Sequence, residues 1–127
     1  MISDGPEDLF TPPREAASAA GRGLALRERF GRGGTEVGAV RARRLIALEP
    51  LDHREVRVIS AWFARHGAQP RSLVRTWGDD VDPSAGWIAW NLWGGDACRA
   101  WADGIAGRRV APMRDPLIER LVELCLL

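Results

Sequence analysis

The stretch "DPSAGWIAWNLW", residues 82–93, sets the architecture that we predict for this chain. It opens on Asp82 and Pro83, a typical helix start because aspartate caps well and a proline at the first helical position leaves no N–H unsatisfied. Ile88 and Leu92 follow on one side of the predicted helix, and three tryptophans cover another arc. A helix that is apolar over so much of its girth is usually central and buried. We therefore predict an all-α fold, a single-domain bundle of five or six short helices with this tryptophan-rich helix at its centre.

Capping residues mark three helices before the central one. The first is predicted from about Arg14 to Phe30, with Gly31 as its stop, because glycine readily adopts the left-handed conformation in which many helices end. Thr35 and Asp52 are predicted to be the N-caps of the second and third helices. A side-chain oxygen at such a position accepts a hydrogen bond from a backbone N–H that has no partner inside the helix.

Two further helices are predicted after the central one. A pair of glycines breaks the chain, Asp96 is expected to cap a fifth helix, and an amphipathic helix follows over about 116–127. Residues 1–13 mix acids with glycine and proline, which predicts a flexible acidic N-terminal tail. The single helical domain then covers 14–127. No strand is predicted, because no alternation of apolar and polar residues persists.

The composition is typical of a globular domain inside the cell. Of the 127 residues, 46% are hydrophobic and 28% are charged, and no apolar run approaches the roughly 18 residues of a membrane span. The N-terminus shows no secretory signal, so we expect a cytoplasmic location and no membrane contact. Cys98 and Cys125 are expected to be ordinary thiols, because the cysteines and histidines lack the short paired spacings of zinc ligands. No metal and no cofactor are predicted.

The charges are distributed unevenly along the chain. All 18 basic residues are arginine, and the formal net charge is +1. Residues 14–75 carry thirteen arginines against six acids, whereas residues 76–127 carry five arginines against eight acids. This distribution is typical either of a basic binding surface or of charge pairing between the two parts of the chain. The sequence leaves both possibilities open.

A second stretch, "GRGGTEVGAVRARRL", residues 31–45, joins a glycine-rich turn to an arginine-rich helix. Backbone N–H groups at such a turn, together with the positive end of a helix dipole, bind phosphate well. The spacing differs from that of a nucleotide-binding P-loop, which also needs a lysine and a preceding strand. A plain connection between two helices explains the glycines most simply. The alternative is a contact with nucleic-acid backbone, in which Arg41, Arg43 and Arg44 supply the charge.

Three segments together resemble a small module found in phage and prophage proteins. They read "GGTEVGAVRARRL", "ISAWFARH" and "PSAGWIAWNLWGGDACRAWA", and the resemblance covers about residues 15–103, about seven-tenths of the chain. In that family the pattern is GGT-x-VG-x-x-RAR-x-L, then F-x-R-H, then PSAG-x-IAW-x-LWGGD-x-x-x-AWA. Such modules accompany prohead proteases and other head-associated or DNA-handling proteins. The resemblance therefore implies a phage-derived binding module, located in the bacterial cytoplasm or associated with the virion.

The leading hypothesis is a non-catalytic module that contacts nucleic-acid backbone with weak sequence specificity and strong salt dependence. The residues predicted to bind nucleic acid are Arg32, Thr35, Arg41, Arg43, Arg44 and Arg65. The alternative is a protein-interaction module that docks on phage head or host proteins. Its surface would combine the apolar C-terminal helix with Trp77, Asp79 and Asp80.

A metal-dependent enzyme acting on phosphate esters is the third hypothesis. It would require Asp79, Asp80 and Asp82 to converge with Asp96 on a metal ion. Acids just before a helix more often cap it and complement its dipole. No catalytic residue is therefore predicted, and the sequence favours binding over catalysis.

Overall fold

The computed structural model describes residues 8–67 and 78–107, and within them the chain is mainly helical. These residues form five helices and two short strands. In chain order the elements are β1 Leu9–Phe10, α1 Arg14–Phe30, α2 Glu36–Ile46, β2 Leu51–Asp52, α3 His53–Gly67, α4 Ala85–Leu92 and α5 Gly95–Ala106. The predicted all-α fold is confirmed. The predicted helix over about 116–127 lies outside the described residues.

The capping signals predicted the first three helices correctly. α1 ends at Phe30, and Gly31 follows in the left-handed conformation with φ 65°. The Thr35 hydroxyl accepts a hydrogen bond from the N–H of Gly38 at 3.3 Å. The Asp52 carboxylate accepts one from the N–H of Glu55 at 2.8 Å. Each side chain thus satisfies a first-turn donor that the helix itself leaves open.

The predicted caps of the fourth and fifth helices are wrong. α4 begins after Ser84, whose hydroxyl accepts a hydrogen bond from the N–H of Trp87 at 3.0 Å, so Asp82 lies two residues too early. α5 begins at Gly95. Asp96 lies in its first turn and instead accepts a hydrogen bond from the indole N–H of Trp90 at 2.8 Å. A buried indole needs such an acceptor, which a local capping rule cannot anticipate.

A two-stranded antiparallel ladder joins β1 to β2, where Leu9 is paired with Asp52 and Phe10 with Leu51. Residues 9 and 10 were predicted to lie in the flexible tail. Two residues are too few to show the alternating pattern by which strands are recognised, so this ladder left no signal in the sequence. The pairing attaches the start of the domain to the beginning of α3.

The core is an aromatic cluster that connects α3 with α4. The Trp62 and Trp93 rings stack at a centroid distance of 4.7 Å and an interplanar angle of 10°. Phe63 meets the Trp90 ring edge-on, with their centroids 4.7 Å apart. Trp62, Trp90 and Trp93 are buried, and α4 contacts α1, α2 and α5. The prediction of a central, tryptophan-rich helix is confirmed.

Within the described ranges, none of the helices is both long and apolar enough to pass through a lipid bilayer.

Candidate functional site

The turn between α1 and α2 requires its glycines for conformation and for packing. Gly33 and Gly34 have φ values of 98° and 73°, which side-chain-bearing residues rarely adopt. A Cβ on Gly33 would lie 2.4 Å from the Cβ of Ile88, and one on Gly34 would lie 2.6 Å from a methyl group of Leu92. The turn is therefore pressed against α4. Its glycines are explained by this helix connection.

The same turn forms one wall of an open pocket of about 590 Å³. We call it the glycine-turn pocket. Its lining residues are Leu24, Arg27, Glu28, Gly31, Arg32, Gly33, Gly34 and Arg43. Three of them are arginines from α1, the turn and α2, and one is an acid. The pocket thus brings together Arg32 and Arg43, which the sequence predicted, with Arg27, which it did not.

Two of the three arginines are held in place by backbone carbonyls. Arg27 Nε donates to the Gly33 carbonyl at 3.1 Å, and Arg32 Nε donates to the Pro83 carbonyl at 3.0 Å. Arg43 is less constrained, since 59% of its side chain is exposed. A guanidinium group has five N–H donors. Arg27 and Arg32 therefore keep donors for a ligand even with these bonds in place.

An acid from α2 lies between two of these arginines. Glu36 Oε1 is 3.6 Å from Arg27 Nη2, and Glu36 Oε2 is 3.9 Å from Arg43 Nη1. Both separations exceed hydrogen-bond length, and the Glu36 side chain is 73% exposed. Ion pairs of this kind contribute little to stability. The two guanidinium groups are therefore close to a carboxylate without being firmly bound to it.

Two of the predicted arginines face the protein rather than the pocket. Arg44 donates to Glu49 at 2.9 Å and to Glu55 at 2.7 Å. Only 13% of the Arg41 side chain is exposed; its guanidinium lies 3.8 Å from Glu55 and 5.6 Å from the centre of the Trp93 ring. These contacts tie α2 to the start of α3. Of the three arginines of α2 that were predicted to supply charge to nucleic acid, Arg41 and Arg44 are thus engaged with the protein's own carboxylates, and Arg43 lines the pocket.

The different contacts of Arg44 and Arg43 predict that these neighbouring arginines contribute unequally to the stability of the fold. We expect Arg44→Gln to lower the free energy of unfolding by about 1–2 kcal/mol, because it removes two charge-assisted hydrogen bonds at a partly exposed site. Arg43→Gln is expected to change it by less than about 0.5 kcal/mol, since an exposed pair at 3.9 Å contributes little. Urea denaturation at low salt measures both. Equal effects of the two substitutions would contradict the assignment.

Thr35 and Arg65 are the remaining residues predicted to contact nucleic acid, besides the arginines of α2 and Arg32. Thr35 acts as the N-cap of α2. Arg65 lies in the last turn of α3 and is exposed, and it does not line the glycine-turn pocket. Of the residues predicted to bind nucleic acid, Arg32 and Arg43 thus line the pocket.

The residues predicted for protein docking or metal binding have local structural roles where the structure describes them. Asp79 accepts hydrogen bonds from the N–H groups of Val81 at 2.8 Å and Asp82 at 3.3 Å. Asp80 accepts one from the indole N–H of Trp87 at 2.9 Å. Across 8–67 and 78–107, no three His, Cys, Asp or Glu side chains are arranged to hold a metal ion. Trp77 lies outside the described residues.

The surroundings of Cys98 and His66 favour the uncharged form of each side chain. Burial raises the pKa of the Cys98 thiol to about 12, although nearby Arg41 acts in the opposite direction. A thiol with such a pKa is protonated at neutral pH and is a poor nucleophile. His66 Nδ1 lies 2.9 Å from the Trp62 carbonyl oxygen, and burial lowers the pKa of its imidazole. Neither side chain suggests a catalytic centre.

A second surface feature lies on the outer side of α2. Val37 and Val40 are 45% and 48% exposed. They line a shallow pocket of about 270 Å³ together with Glu36, Arg41 and Arg44. The outward side of α2 is therefore partly apolar, and its arginines are engaged in ion pairs at the edges.

No protein-family model, no curated protein and no solved structure matches the chain. The likeness to the phage module is thus a resemblance of sequence motifs.

Proposed function

We propose that this protein is a non-catalytic module of phage or prophage origin that binds nucleic-acid backbone at the glycine-turn pocket. The observation that carries the proposal is the convergence of Arg27, Arg32 and Arg43 on one open pocket. Arginine is suited to this role because its planar fork matches the geometry of a phosphate group. The resemblance to modules that accompany DNA-handling phage proteins points to the same ligand.

The pocket offers charge and hydrogen bonds, and we assign its arginines to phosphate oxygens rather than to base edges, which arginine can also contact. Contacts with phosphate position a protein on nucleic acid but carry no sequence information. Apart from Leu24, the lining residues are arginines, glycines and one glutamate. We therefore expect binding that depends weakly on sequence.

The charge of the whole domain supports only modest affinity. Residues 14–67 carry eleven arginines against six acids, and residues 78–107 carry one arginine against five acids. Ion pairs between these regions include Arg22 with Asp80 at 4.0 Å and Arg32 with Asp82 at 3.0 Å. Attraction to nucleic acid must therefore arise locally, at the pocket, rather than from net charge.

Salt dependence tests the proposal directly. Three phosphate contacts predict a slope of about −2.7 for the logarithm of the binding constant against that of salt concentration, and so a loss of affinity of about 40-fold between about 50 and 200 mM salt. Fluorescence anisotropy with labelled random-sequence duplex and single-stranded DNA measures this. Arg43→Gln should lower affinity several-fold and reduce the magnitude of the slope by about 0.9.

Arg14→Gln is the matched control for Arg43→Gln. It removes the same charge from the first residue of α1, about 20 Å along the helix from Arg27. It should leave affinity and slope nearly unchanged. Absence of binding at low salt, or equal losses in the two variants, would refute a role for the pocket.

The exposed valines of α2 favour a second candidate, a protein-interaction module. Val37 and Val40 are nearly half exposed and give the outer side of α2 a small apolar surface that a partner protein could cover. Replacement of Val37 and Val40 by Thr should then abolish association with a phage head protein while DNA binding is unaffected. Unchanged protein association and unchanged DNA binding in this variant would leave the nucleic-acid proposal ahead.

A further inference from the structure

We propose that two carboxylates of the protein itself, those of Glu36 and Asp82, compete with a bound phosphate for the pocket arginines and so restrain binding. The inference rests on the proposed function, because it concerns the regulation of the same pocket. It assigns an inhibitory role to two acids that the sequence did not single out for the binding site.

Glu36 occupies the position of an anion shared by two guanidinium groups. One of its oxygens faces Arg27 and the other faces Arg43, at 3.6 and 3.9 Å. A phosphate that bridged these arginines would use the same space and the same donors. Because Glu36 is exposed and its distances exceed hydrogen-bond length, its carboxylate can be displaced by a stronger anion.

Asp82 restrains the third arginine. Its Oδ1 accepts a hydrogen bond from Arg32 Nη2 at 3.0 Å, while Arg32 Nε is bonded to the Pro83 carbonyl. The backbone contact fixes the guanidinium, and the aspartate uses one of its remaining donors. Asp82 belongs to the acidic segment before α4, so this contact joins the basic and acidic parts of the chain at the pocket.

Keeping these acids in place has a structural benefit. Glu36 lies in the first turn of α2, where a negative charge is favourable near the positive end of the helix dipole. In the free protein, the carboxylates of Glu36 and Asp82 thus offset part of the positive charge that the pocket arginines concentrate at one surface. When nucleic acid binds, its phosphates replace these carboxylates as partners of the arginines. The ion pairs of Glu36 and Asp82 must then break, and the free energy lost with them lowers the affinity.

The test compares two neutralising substitutions with a distant one. Glu36→Gln and Asp82→Asn each remove a competing charge and keep a side chain of nearly the same shape. Each should raise affinity for labelled random-sequence DNA at about 50 mM salt about two- to fivefold, the range set by an exposed ion pair. Glu15→Gln, in the first turn of α1, changes net charge equally and should have a much smaller effect. Circular dichroism checks that all three variants keep their helix content.

The outcomes separate this inference from the function on which it rests. Increases in the Glu36 and Asp82 variants alone support competition at the pocket. Binding by the unmodified protein that neither substitution strengthens, or that Glu15→Gln strengthens equally, overturns the inference and leaves the proposed function standing. Failure of every protein, including both neutralised variants, to bind at low salt overturns the proposed function and the inference together.

Discussion

Gly33→Ala is expected to lower the free energy of unfolding by about 3 kcal/mol or more. Two costs combine at this position: a φ of 98°, which alanine adopts only under strain, and a Cβ that would stand 2.4 Å from the Cβ of Ile88. Relief requires the turn to move away from α4. Thermal and urea denaturation measure the loss directly.

Two other glycines supply controls for these separate costs. Gly31 has φ 65° but no neighbour within 4 Å of an added Cβ, so Gly31→Ala should cost only the strain, about 1 kcal/mol. Gly21 lies inside α1 with space for a methyl group, and Gly21→Ala should stabilise by about 0.5–1 kcal/mol. A loss at Gly33 no greater than at Gly31 would show that the close contact with Ile88 does not exist.

Trp93→Ala should have an effect of similar or greater size, a loss of about 3–5 kcal/mol. The indole is 2% exposed, and it stacks on Trp62 at 4.7 Å. The Arg41 guanidinium lies near the same ring, at 5.6 Å from its centre. The substitution therefore removes packing between α3 and α4 together with a cation–π contact of α2.

Trp93→Phe separates the stability contributed by a stacked aromatic ring from that contributed by the whole indole. It keeps an aromatic ring at the same place and should lose less than half as much stability as Trp93→Ala. Denaturant titrations followed by circular dichroism measure both variants. A loss below about 1 kcal/mol for Trp93→Ala would contradict a central position of this side chain.

The helices were predictable from sequence where their signals are local. Thr35, Asp52 and Gly31 act within one helical turn of their own position, and each was placed correctly. The caps failed where the predicted aspartate has another partner: the Asp96 carboxylate accepts from the indole of Trp90, and Asp82 accepts from Arg32 while Ser84 caps α4. Capping rules contain no information about such partners.

The candidate site was predictable only in part. The sequence assigned Arg41, Arg43 and Arg44 to one nucleic-acid contact, but the orientation of a long side chain depends on which acids lie nearby. Glu55, from the start of α3, decides that question for two of them. Arg27 was missed because it becomes a neighbour of α2 only when the glycine turn reverses the chain. A search of the last turn of α1 for arginines would have found it.

The parallel indoles of Trp62 and Trp93 have one practical consequence. Transition dipoles on two rings 4.7 Å apart couple strongly, and the coupling disappears once the rings separate. Because one ring belongs to α3 and the other follows α4, their coupled optical signal reports the docking of these helices and not helix content. The molecule therefore contains its own spectroscopic probe of tertiary structure, which needs no added label.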